Sequence, residues 1–146
     1  MRLLTILLPC LLAAQSTVTP IEWTSLPAPV QSAAKKQEVP KGAKIKYVKL
    51  VRSGATFYEM KVDAADGRDL EILFRPDGAV AETEEAVPLS SIPAAVRAAI
   101  EKEARTGKLL KVDLLLRDGK TFYEGEILEQ GTKKKPLFDP AGRRVN

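Results

Sequence analysis

Ser25-Leu26-Pro27-Ala28-Pro29-Val30 returns as Ser91-Ile92-Pro93-Ala94-Ala95-Val96, and Thr56-Phe57-Tyr58-Glu59 returns as Thr121-Phe122-Tyr123-Glu124. A third stretch, Leu73-Phe74-Arg75-Pro76-Asp77-Gly78, returns as Leu137-Phe138-Asp139-Pro140-Ala141-Gly142. The offset falls from 66 to 65 to 64 residues (25 to 91, 56 to 121, 73 to 137), which places single-residue deletions in loops. Ordered self-similarity of this kind points to one supersecondary unit used twice. Residues present in both copies are then first of all those the unit needs to fold.

Each copy opens on a helical pattern. Leu26, Val30, Ala33 and Ala34 form one apolar stripe, and Ile92, Val96, Ala99 and Ile100 form its counterpart. Pro27 and Pro93 sit where a missing N–H costs nothing. Trp23 and Leu89 precede them as apolar staples. Three strand patterns follow in each copy: 44–52, 56–64 and 69–74, then 109–117, 121–129 and 134–138. Ser53-Gly54 and Asp118-Gly119 are tight-hairpin pairs. In the second copy Leu110, Val112, Leu114 and Leu116 alternate, which predicts one buried face. Lys133-Lys134-Lys135-Pro136 carries the residues that blunt an exposed sheet edge. Glu82 to Pro88 reads as a short acidic connector.

The expected fold is therefore α+β: two tandem helix-plus-three-strand repeats sharing an antiparallel sheet with both helices on one face. A single unit of this size buries little core, so the two are expected to fold together. The expected organisation is a signal peptide over 1–16, a first unit with its connector over 17–85, and a second unit over 86–146. The leader reading rests on Arg2, the apolar run Leu3 to Leu12, and the small residues Ala14 and Ser16. That run is shorter than the roughly 20 apolar residues a membrane span needs, so no transmembrane segment is expected. Pro9 before Cys10 argues against a lipid anchor. The expected location is periplasmic or extracellular.

The chain has no histidine and a single cysteine, Cys10, which leaves with the leader. A mature chain without imidazole or thiolate loses the usual zinc sites, the Ser-His and Cys-His nucleophiles and haem ligation by histidine. Its formal charge of +4, or +3 once Arg2 is removed, is too mild to demand nucleic acid. No cofactor is expected. Asp63 to Gly67 and Asp77-Gly78 lack the alternating carboxylates of a calcium loop and read as turns.

The cadence Leu-Pro-x-x-Val, then Thr-Phe-Tyr-Glu, then Leu-Phe-Arg-Pro-Asp-Gly-Ala-Val resembles the PepSY-like, β-lactamase-inhibitor-like family over roughly 23–145. That resemblance implies an exported protein that binds rather than catalyses. The namesake inhibitor grips an enzyme with the open face of its sheet. No inhibitory loop residue of that family has a counterpart here.

Strand alternation turns Phe57 and Phe122 away from Tyr58 and Tyr123, and hence away from the helices if the tyrosines face inward. Phe57, Glu59, Lys61, Phe122 and Glu124 are accordingly the candidate partner-binding residues, joined by Val48, Leu50 and Leu115. Aromatics on an open sheet rimmed by charge suit a protein partner in the envelope or outside the cell. Two rival readings stand beside it. Lys133 to Lys135 with Arg143-Arg144 would suit a small ligand or a polyanion. Glu59 and Glu124 would suit a carboxylate-dependent hydrolase, provided they stand within roughly 5–10 Å.

Overall fold

A computed structural model of the chain describes residues 16–145. The expected leader lies outside the described residues except for Ser16. The chain runs β1 (Thr17–Ile21), α1 (Ala28–Ala34), β2 (Lys44–Arg52), β3 (Ala55–Asp63), β4 (Asp69–Phe74) and β5 (Val80–Ala86). It continues α2 (Ala94–Glu103), β6 (Lys108–Arg117), β7 (Lys120–Glu129), β8 (Thr132–Lys134), β9 (Leu137–Phe138) and β10 (Arg144–Val145). All the strands join one ten-stranded antiparallel sheet in the order β1-β2-β3-β4-β5-β6-β7-β9-β10, with β8 paired to β7 beside β9.

This corrects the expected fold class. The described residues form two short α-helices on one continuous sheet, not two helix-plus-three-strand repeats. Strands β1 and β10 are two unexpected strands at the ends of the sheet, and the presumed acidic connector is β5, in the middle of it. Its charge misled because glutamates are poor strand formers in isolation. Here β4 and β6 pair with its backbone on both sides, and that ladder overrides propensity. The expected last strand is split by Pro136 into β8 and β9, since proline cannot donate to the ladder.

Both hairpin pairs turn as expected, with positive φ at Ser53 and Gly54 and at Asp118 and Gly119, the twist a two-residue connection requires. One core gathers Leu26, Val30 and Ala34 of α1 and its entry over Met60, Val62, Ile72 and Phe74. A second gathers Ile92, Val96 and Ile100 over Val112 and Phe138. Trp23 and Leu89 pack against these cores, Trp23 with its ring centroid 5.5 Å from that of Tyr47. Register carries one face from Met60 through Ile72, Thr83 and Leu116 to Thr121, so both helical cores lie on that face.

The expected alternation of β6 holds only in part. Register shifts between Leu109 and Lys111, leaving Leu110 exposed, and Leu116 is 49% exposed at the far end of the strand. The deeply buried leucine is Leu115, on the opposite face.

The two returning glycines tie each helix to the sheet. Gly78 has φ +87, and a Cβ there would stand 2.6 Å from the Pro29 carbonyl oxygen in the first turn of α1. Gly142 has φ +77, and its Cβ would stand 2.5 Å from the Ala95 carbonyl oxygen in α2. Neither contact is possible for a real side chain without moving a helix. Gly54 has the same backbone hand with open space around it. Gly78→Ala is thus expected to lose more than about 2 kcal/mol of stability, against roughly 1 kcal/mol for Gly54→Ala, in urea denaturation. Equal losses would mean that the helix contact contributes nothing.

Ending the chain at Glu84 cuts β5 short and removes β6, its outer partner. Residues 17–84 expressed alone are expected to give no cooperative thermal transition by circular dichroism. A sharp reversible melt would show that this half is stable by itself.

Candidate functional site

The face opposite the helices carries the candidate residues. Phe57, Glu59 and Lys61 alternate along β3, and register links Glu59 through Leu73 and Glu82 to Arg117. A neighbouring row runs Lys61, Glu71, Glu84, Leu115, Phe122 across β3 to β7. Phe57, Glu59, Lys61, Phe122 and Glu124 therefore share one face, as alternation requires.

Apolar groups flank this face. Phe57 opposes Leu50 and joins a buried cluster with Leu73 and Ala81. Phe122 opposes Leu115, which is 1% exposed, and the Arg117 guanidinium lies 6.0 Å from the Phe122 ring centroid. Val48 is buried too. No helix among the described residues covers these side chains, since α1 and α2 pack on the other face.

Charge occupies the centre. Lys61 Nζ stands 3.2 Å from Glu59 Oε2 and 3.0 Å from Glu71 Oε1, bridging two strands. Lys111 Nζ stands 3.1 Å from Asp113 Oδ2, and Lys135 Nζ 2.9 Å from Glu124 Oε1. Arg117 pairs with Glu82, and Lys133 with Glu126. The lysines read as edge protection are thus also counter-ions to this face.

Glu84, Asp113 and Glu124, on β5, β6 and β7, bring one carboxylate oxygen each within 4.8 Å of one another. Sequence reading missed this group because Glu84 lay in the presumed connector. Asp113 is 1% exposed. Its Oδ2 and Glu124 Oε1 are ion-paired yet lack a directed hydrogen bond. Burial, reinforced by the Glu124 charge, pushes the Glu84 carboxyl up to about 7, and burial also raises Asp113 and Glu59. Burial works against the Lys135 ammonium, but Glu124, Glu84 and Asp113 outweigh it and hold the charge on. That ammonium already supplies a cation to the carboxylates a metal would need.

The postulated pair of Glu59 and Glu124 is not assembled. The strands that bear them are separated by β4, β5 and β6. At about 4.8 Å per strand spacing, that is on the order of 20 Å along the sheet, well beyond a glycosidase pair.

No protein-family model matches the sequence, and no curated protein matches it. Solved structures share the fold. A Bacteroides eggerthii protein with a provisional periplasmic assignment is 23% identical, covering 83% of this chain and 86% of its own, at a TM-score of 0.63. A DUF2874-family protein from Bacteroides uniformis is 21% identical over 82% of this chain and 86% of its own, at 0.61. A BLIP-like protein from Bacteroides fragilis is 25% identical over 83% of this chain and 84% of its own, at 0.56. The fold is thus that of BLIP-like and DUF2874 proteins. No helix among the described residues is long and apolar enough to cross a membrane.

The raised carboxyls set a pH dependence. Glu84 moves from 4.5 to about 7, so the fold favours its protonated form. The stability this contributes is complete below pH 4.5 and is lost as pH rises through 7. Thermal midpoints are expected to fall from pH 6 to pH 8, and Glu84→Gln, which removes the charge, to flatten that fall. Identical slopes in calorimetry for both proteins would refute the assignment.

Proposed function

We propose that this chain is an exported, non-catalytic protein-binding module, inhibitor-like in fold, that engages a protein in the cell envelope or outside it. The observation that carries this reading is the sheet face opposite the helices. It presents Phe57 and Phe122 on either side of a charged centre, with no helix of the described residues over them. Aromatic anchors beside buried aliphatics are what interface hot spots are made of.

The BLIP-like neighbour and the neighbour with a periplasmic assignment support both the binding role and the location. The leader pattern of Met1 to Ser16 supports the location. The absence of histidine, and the separation of Glu59 from Glu124 by three strands, support a role without catalysis.

Photocrosslinking in the native envelope would compare wild type with a folded Phe57→Ala/Phe122→Ala double variant. Truncating two such anchors is expected to cost about 2 kcal/mol or more, roughly a thirtyfold loss of affinity, and to erase the crosslinked partner. An unchanged set of crosslinks would overturn the reading.

A further inference from the structure

Glu84 differs from the carboxylates around it. Its neighbours Glu71, Glu82, Asp113 and Glu124 each have a lysine or arginine in ion-pair contact. Among the described residues Glu84 has none, and it is only half-buried. Beside it, the 1% exposed Asp113 holds an oxygen without a directed hydrogen bond, as does Glu124. In the same row across the sheet stand Leu115 and Phe122. A charged centre between apolar flanks inverts the usual interface, whose core is apolar and whose rim is polar.

We propose that this face receives a lysine or arginine side chain of the protein partner on Glu84, with an apolar residue beside that cation seated against the half-buried Phe122. The inference rests on the reading of this face as the partner surface and names the chemistry it selects. Charge complementarity argues for it: Glu71, Glu82, Asp113 and Glu124 each have a cation of this chain, and a cation from the partner would complete the set at Glu84. The formal charge of the whole chain is +4, so this carboxylate cluster is opposite in sign to the net charge of the chain that bears it.

The groups facing Glu84 are Glu71 on β4, Glu82 on its own strand, Asp113 and Arg117 on β6, Glu124 on β7 and Lys135 beyond β8, with Arg117 in ion-pair contact with Glu82 rather than Glu84. A carboxylate partly protonated near pH 7 must release its proton to hold a cation. Binding is therefore accompanied by proton release and tightens from pH 6 to pH 8.

The probe is a phage library of short random peptides selected on the immobilised full chain, with enriched peptides then synthesised and titrated calorimetrically. The expected peptides share a lysine or arginine next to an apolar residue. Glu84→Gln, shown to fold by its thermal melt, is expected to weaken them at least about tenfold and to abolish the pH 6 to pH 8 gain. Enriched peptides without a basic residue, peptides indifferent to Glu84→Gln, or no enrichment at all would each overturn the inference. If such peptides are still lost in Phe57→Ala/Phe122→Ala, the face remains the partner surface and only the cation chemistry fails. If both variants bind like wild type, both readings fail.

Discussion

The backbone ladder between β5 and β6, pairing Glu82 to Ala86 with Arg117 to Asp113, is the constraint on which the rest depends. It joins the strands that follow α1 to the strands that follow α2, and so makes one sheet out of two short ones. Without it, each helix would cover a strip of strands with an unpaired edge, a poor balance of burial against chain entropy. The same ladder brings Glu84 beside Asp113 and Glu124. Fold and site therefore depend on a strand whose side chains contribute little to the helical cores.

The helical face and its opposite are stabilised by different physics. Under the helices, aliphatic groups and Phe74 and Phe138 interdigitate, and the energetics are those of apolar burial. On the opposite face, half-buried ion pairs cross from strand to strand. Such pairs offset their own desolvation rather than adding much net stability. Their arrangement does define a charge pattern with fixed positions, because each carboxylate is held by a strand rather than by a loop. A rigid pattern of this kind suits recognition, since little ordering remains to be done on binding.

Much of the site was legible in the sequence. Period-two alternation is sufficient to put Phe57, Glu59 and Lys61 on one face and Tyr58 and Met60 on the other, whatever the neighbours are. The returning Thr-Phe-Tyr-Glu transfers that facing to Phe122 and Glu124. The Glu84 group was not legible. Asp113 and Glu124 oppose each other across the β6–β7 hairpin, but Glu84 lies 29 residues before Asp113 (84 to 113), and only the β5–β6 pairing brings it to them. Lys135 is a further case. As a residue it reads as edge protection, and only the path of the chain after β8 sets its ammonium against Glu124.

By itself, the sequence determined the local elements: where α1 and α2 begin, where the hairpins turn at Ser53-Gly54 and Asp118-Gly119, and which side chains share a strand face. Those features depend on propensity, φ and periodicity, which act over a few residues. Tertiary structure alone decided that 80–86 is a central strand, that the sheet is one body of ten strands, and that Leu115 is buried while Leu116 is not. The reason is that a ladder satisfies every backbone N–H and C=O along its length. That requirement is met between residues distant in sequence, and it can make a strand of a segment whose own glutamates favour solvent.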